Sequence, residues 1–203
     1  MLTTDQDHRE LLMQISRRDT GSEVAMTLLY RALSGAVFAF VRRRLGHSDD
    51  HEVQAVVVDT MYEVWRAAPN FSGGSQVKTW VLGIARHKLL DVVRKTMHDH
   101  THVDIADYSD SLADDRADVF DALAAKQQAE WLMLCMGKLP NDQRESLHLL
   151  LVEGLSVEAI AQVQGCPNGT VKTRVFYAKA KLKRCLTQHL ERTIVPPPSI
   201  ASL

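Results

Sequence analysis

The chain has 203 residues, with 24 Lys and Arg against 25 Asp and Glu, a net charge of -1 at neutral pH and an isoelectric point near 6.7. That length holds one ordinary domain or two small ones, and the balanced total excludes a protein that grips nucleic acid through bulk charge; such a role needs charge segregated along the chain. The cysteines Cys135, Cys166 and Cys185 form no C-x-x-C pair and no even framework, which fits a reducing cytosol and speaks against finger-type zinc; neither a membrane span nor a signal peptide is evident.

From Asp7 to Met97 the apolar positions recur at helical spacing, as in Leu11, Leu12 and Ile15, then Val24, Leu28 and Leu29, then Val37, Phe38 and Val41. Breaks are expected at Gly21, Gly35, Gly46 and Gly73-Gly74, giving a bundle of four or five helices with no strand. Trp65 and Trp80 sit among apolar neighbours at helical spacing and are assigned to its core. The segment from Asp99 to Asp121 carries eight Asp and one Arg, a local charge of -7; the polar stretch from Met97 to Ala117 lacks the apolar density to order itself. Within it, His98, His100 and His102 alternate with carboxylates, but alternate spacing in a flexible segment organises no metal site, and no metal or other cofactor is expected.

Helical periodicity returns from Val119 to Met136, stops at Pro140, and resumes from Asp142 to Val152 with Gly154 as a C-cap. Ser156 can cap a short helix from Val157 to Gln164, a tight turn follows at Gly165, and Pro167 suits the first position of a second helix. In that second helix Val171, Val175, Ala178 and Leu182 form a narrow apolar stripe, which leaves Lys172, Thr173, Phe176, Lys179 and Lys183 facing away from it. From Cys166 to Arg192 seven Lys or Arg stand against one acid. A solvated basic face would show the same charge run, but joined to the turn and the preceding helix the pattern is that of a helix-turn-helix against DNA. The fold class expected is all-α: a helical bundle at 7–97, an acidic flexible linker at 98–117, a helix-turn-helix domain at 118–190 and a disordered tail at 191–203.

In this order the motifs resemble the extracytoplasmic-function group of bacterial sigma-70-type sigma factors. The resemblance rests on Leu29-Tyr30, Arg42 to Gly46, Val64-Trp65-Arg66, Phe71, Thr79-Trp80, Ile84-Ala85-Arg86 and Asp91 in the first half. In the second it rests on Leu139-Pro140, Gln143 to Glu145, Val152 to Ser156, Ile160-Ala161 and Gly169 to Arg174. It implies a cytoplasmic, non-enzymatic subunit that docks on core RNA polymerase and directs initiation at specific promoters, commonly restrained by an anti-sigma protein. The basic C-terminal helix would lie in the major groove of the minus-35 element through Thr170, Lys172, Thr173, Arg174, Phe176, Tyr177 and Lys179. The bundle would open and read the minus-10 strand through the loop Ser72, Gly73, Gly74 and Ser75 with Lys78, Arg86, His87, Lys88 and Arg94. In the family the linker threads into the polymerase channel, where an acidic strip can mimic RNA; a plain flexible connector fits the same composition.

The chain departs from the family pattern in three places. A polymerase-binding Asp-Leu-Val-Gln-Glu run, placed in the second helix of the bundle, is here Ala55-Val56-Val57-Val58-Asp59; it loses two polar groups from a surface expected to comprise Glu52, Ala55, Val58, Asp59 and Tyr62. His87 stands where Asn is frequent, so the minus-10 sequence read can differ. Ala159 also replaces the usual capping-box Glu after Ser156. A helix-turn-helix regulator that does not bind core polymerase is the alternative, but it needs a receiver or ligand domain, and Asp7 to Met97 lacks the alternating strands and helices of one. No nucleophile elbow, phosphate loop or His-metal motif supports an enzyme or a small-molecule substrate.

Overall fold

The computed structural model describes residues 4–45, 49–99 and 119–194; the expected linker from residue 100 onward and the tail beyond 194 lie outside the described residues, as do the side chains of His98, His100 and His102. Among the described residues there are α-helices, one 3-10 turn and no strand. Helices α1 (Asp5–Ser16), α2 (Ser22–Leu45), α3 (Asp50–Ala67) and α4 (Val77–Asp99) form the N-terminal bundle. Helices α5 (Val119–Gly137), α6 (Asn141–Leu151), α7 (Val157–Gln164) and α8 (Asn168–Ile194) form the C-terminal unit.

Local chemistry sets most of the boundaries. Thr4 and Asp7 make a reciprocal capping box on α1, and Asp49 caps α3. Arg144 donates to the carbonyls of Met136, Gly137 and Leu139, satisfying the orphan acceptors where α5 ends. Ser156 Oγ accepts from Ala159 N at 3.2 Å to start α7, and Gly165, with φ +61°, ends it in the left-handed region with its N–H on the Ala161 carbonyl. Pro167 stands one position earlier than expected: its carbonyl takes the first bonds of α8 from Thr170 and Val171.

Three expectations about the helices change. Gly35 does not break the bundle, because α2 runs through it; one glycine costs about 1 kcal/mol against alanine, which the buried Leu29, Leu33, Val37, Phe40 and Val41 on the same helix outweigh. Gly154 is not the C-cap of α6, which ends at Leu151 with Val152 as cap; Gly154, at φ +68°, instead turns the chain so that Leu155 N reaches the Leu149 carbonyl at 3.0 Å. The C-terminal helix continues to Ile194, past the start of the expected tail. In addition, α2 is long and apolar enough by composition to cross a membrane, contrary to the sequence reading. Its buried face is core of the bundle, packed against α1, α3 and α4, with Glu23, Thr27 and Arg31 exposed on the other side.

The two units share one apolar core. Leu149, Leu155, Ile160, Val163 and Val171 are continuous with Leu12, Leu29, Val57 and Leu82 of the bundle, and α4 lies along α7. Trp65 and Trp80 are half-buried against this core, Trp80 tilted on Phe71 at 5.1 Å between centroids and Trp65 covered by the Arg18 guanidinium at 4.5 Å.

Candidate nucleic-acid interface

The stripe on α8 is buried as its spacing demands: Val171 and Ala178 are sealed, and Val175 and Leu182 pack at its edge. The opposite face is open. Lys172, Thr173, Phe176, Tyr177 and Lys179 are exposed, with Phe176 and Tyr177 at 68 % and 52 %, although aromatic rings of that size normally seek burial. Their rings meet edge to face at 5.5 Å, so each holds the other's position on the surface. Thr170 is half-buried at the start of the helix, and Thr173 Oγ1 donates back to the Gly169 carbonyl.

Arg174 departs from the rest of the set. Its guanidinium donates to Asp142 Oδ2 at 2.6 Å and Gln164 Oε1 at 3.0 Å, which braces α8 against α6 and α7. Gln164 in turn donates to Glu145 Oε1 at 3.0 Å, and the same carboxylate oxygen accepts from Arg86 Nε of α4 at 2.8 Å. The result is one hydrogen-bonded chain from Arg86 through Glu145 and Gln164 to Arg174, running beneath the helix-turn-helix from one unit to the other. Glu145 and Gln164 are buried, and such groups require partners of this kind.

The N-terminal loop is clamped rather than loose. Arg9 donates to the carbonyls of Ser75 at 2.6 Å and Gly73 at 3.3 Å while its guanidinium lies over Phe71, and Asp5 Oδ1 accepts from Val77 N at 2.7 Å, capping α4 from a different helix. Gly73 has φ +76°, a conformation that favours glycine. Ser72 and Gly74 remain exposed, and Gly73 and Ser75 are half-buried. Asp5 and Arg9 are thus functional supports absent from the sequence reading, where their i, i+4 spacing on an N-terminal helix was the available signal.

Of the cations assigned to the minus-10 face, His87 and Arg94 are exposed, Arg94 beside Asp91 at 3.3 Å. Lys88 reaches Glu63 of α3 at 3.4 Å. Lys78 and Arg86 are engaged by the C-terminal unit: Lys78 Nζ lies 2.7 Å from Glu153 Oε2 and donates to the Glu153 carbonyl, and Arg86 pairs with Glu145. Burial pushes the Glu153 carboxyl up, but the His148 imidazole and the Lys78 ammonium outweigh it and hold the group below its ordinary value. The His148 contact is long, 3.4 Å from Nε2 to Glu153 Oε1, in a site where the ring is otherwise enclosed.

The proposed polymerase surface falls on the third helix of the bundle, not the second. There Ala55, Val58, Asp59 and Tyr62, spaced i, i+3, i+4 and i+7, share the outer face of α3 and are exposed, with Glu52 half-buried nearby. Val58 and Tyr62 are 51 % and 63 % exposed, so the departure from the family motif leaves a more apolar strip in the same place.

The cysteines depart most from expectation. Cys135 of α5 and Cys185 of α8 form a disulfide, so the absence of a sequence framework did not mean unpaired thiols; helix packing brings together residues 50 apart. Cys166 remains free at the helix-turn-helix turn.

Fold and site together define a two-unit helical DNA-binding protein, with a helix-turn-helix in one unit and a cationic helix behind a glycine loop in the other. Residues 29–98 match the family Sigma-70 region 2, and residues 129–182 match Sigma-70, region 4. The chain is 31% identical over 165 residues to the ECF RNA polymerase sigma factor SigC of Mycobacterium tuberculosis, covering 80% of this chain and 83% of that protein. It is 29% identical over 198 residues to the RNA polymerase sigma-H factor of Pseudomonas aeruginosa, covering 92% and 96%. Among solved structures it is similar to the sigma factor RpoE of Bartonella quintana in complex with the anti-sigma factor NepR, with a TM-score of 0.63, 25% identity and coverage of 79% and 96%. The chain belongs to the extracytoplasmic-function group of the sigma-70 family. It is accordingly a sigma factor, a subunit that binds core RNA polymerase and promoter DNA, in a family not known for catalysis.

Proposed function

We propose that this sigma factor anchors on the minus-35 duplex through the outer face of α8 and reads the opened minus-10 strand through α4 and the loop before it. The observation that carries this reading is the exposed row Lys172, Thr173, Phe176, Tyr177 and Lys179, set against the stripe on the same helix in which Val171 and Ala178 are buried. Lysines there neutralise phosphates, while the hydroxyl and aromatic groups reach base edges and thymine methyls. Arg174 serves this face indirectly, by fixing the angle of α8 on α6 and α7. In the other unit, His87 and Arg94 offer an accessible track, with Ser72 and Gly74 at its head. Lys78 and Arg86 join that track only when the contact between α4 and α7 opens and DNA phosphate replaces Glu153 and Glu145.

The outer face of α3, with Ala55, Val58, Asp59 and Tyr62, docks on core polymerase, trading lost polar contacts for apolar burial. Working units at 7–97 and 118–190, joined by the acidic segment 98–117, fit this division of labour. An anti-sigma protein is the expected regulator, supported by the RpoE likeness, and the site of action is the cytoplasm, without membrane insertion. Transcription in vitro with purified core polymerase tests the reading: the chain directs initiation from a defined start site, and Lys172→Ala with Lys179→Ala reduces it. Specific initiation indifferent to both substitutions would remove α8 from the upstream contact.

A further inference from the structure

Beyond the promoter contacts, a second cluster lies on the far end of α8. Cys185 and His189 are one helical turn apart on that helix, at i and i+4, and so share a face. Cys135 projects from α5 into the same place, fully buried, and the sulfur and imidazole donor atoms of the three residues all lie within 4.8 Å of one another. Trp131, one turn before Cys135, stacks on His189 at 5.9 Å with an interplanar angle of 17°, which orients the ring. A disulfide needs only the two sulfurs. The third donor, and its alignment, need another explanation.

We infer that in the reduced chain Cys135, Cys185 and His189 form a binding site for a borderline-soft divalent cation of the zinc class. Two thiolates and one imidazole suit such an ion, which takes sulfur at about 2.3 Å and nitrogen at about 2.0–2.1 Å in tetrahedral geometry. Tetrahedral angles then put the sulfurs about 3.8 Å apart. The Cα atoms are already 5.8 Å apart, so opening the disulfide and turning the two side chains reaches this spacing without moving the helices. A dithiol reductant gives two electrons and two protons to the disulfide and leaves as its own disulfide; binding of M2+ then displaces the two thiol protons to solvent, leaving a neutral bis-thiolate centre with a neutral imidazole. Water fills the fourth position on the half-exposed side, beside Cys185 and His189. The site pins α5 to α8, with Cys185 and His189 just past residue 182, where the region 4 match ends; their spacing continues the apolar stripe of Ala178 and Leu182 rather than the groove-reading row.

The test uses the full chain reduced with a phosphine, stripped with a chelator and titrated anaerobically with Co2+. One Co2+ per chain is expected, with a thiolate-to-metal charge-transfer band and the strong visible bands of tetrahedral cobalt, both displaced by Zn2+. Cys185→Ser should halve the charge-transfer intensity. His189→Ala should weaken binding at least about tenfold, since losing even an outer partner of a metal ligand costs about 10–100-fold. Cys166→Ser should change nothing, and the far-ultraviolet dichroism of each variant checks that it is folded. A reduced, folded chain without the band, a band that disappears in Cys166→Ser, or affinity unchanged in His189→Ala would each overturn the site.

Discussion

The two helices assigned to DNA are built on opposite terms. On α8 the buried stripe and the reading face are separate, so Lys172, Phe176, Tyr177 and Lys179 stand clear while Val171 and Ala178 hold the helix in place. On α4 the same cationic residues that suit a DNA strand also serve the fold: Lys78 and Arg86 are paired with Glu153 and Glu145 of the other unit, and Lys88 with Glu63. An exposed cation contributes little to stability and is available to a phosphate at small cost, whereas a buried ion pair must be exchanged, charge for charge. On the proposed reading the upstream helix would bind as it stands, while Lys78 and Arg86 of the downstream helix would need the units to separate.

The largest effect should come from breaking the chain between the helices. Glu145→Ala leaves Arg86 and Gln164 without their shared acceptor, and a loss of about 3–5 kcal/mol in urea unfolding is expected; a loss below about 1 kcal/mol, the scale of an exposed pair, would show that the network is slack. Next is Arg174→Ala, which removes hydrogen bonds to the Asp142 carboxylate, Gln164 Oε1 and Cys166 Sγ and should cost about 1.5–3 kcal/mol of stability. Unchanged unfolding with weakened duplex binding would return Arg174 to the groove. Lys172→Ala should do the reverse, leaving stability within about 0.5 kcal/mol while lowering the salt slope of upstream-element binding by about 1. Equilibrium binding across a salt series reads that slope directly.

The smallest effect concerns pH. Because the Glu153 carboxyl is held below its ordinary value of 4.5, its contact with Lys78 contributes fully above that value and is lost as pH falls through the lowered one. Stability of the wild-type chain should therefore drop more steeply on acidification than that of Glu153→Gln. Parallel curves in thermal unfolding against pH would remove Glu153 from the contact between the units.

The helices and their motif were legible because short-range chemistry sets them: the Ser156 cap, the turn at Gly165 and the 4, 3, 4 spacing of Val171, Val175, Ala178 and Leu182 all lie within a few turns of chain. The exposed row on α8 and the outer face of α3 were legible for the same reason, since one periodicity fixes both faces of a helix. What escaped was long-range. Arg174 lies on the flank of the stripe, and only the packing of α6 brings Asp142, 32 residues away, to meet it. Arg86 meets Glu145 across 59 residues, and Cys135 meets Cys185 across 50, separations at which spacing carries no information about pairing. Asp5 and Arg9 show the same limit, visible as a helical pair but not as the clamp on a loop some 64 to 72 residues further on.

The unequal construction of the two helices is tested most directly by placing a photocrosslinking residue at position 172 or at position 87 and assembling each variant with core polymerase on promoter DNA. Position 172 should crosslink to the upstream duplex, and position 87 to the single strand of the downstream element only once the duplex has opened. Crosslinks from both positions to the same element, or from 172 to no DNA at all, would contradict the account.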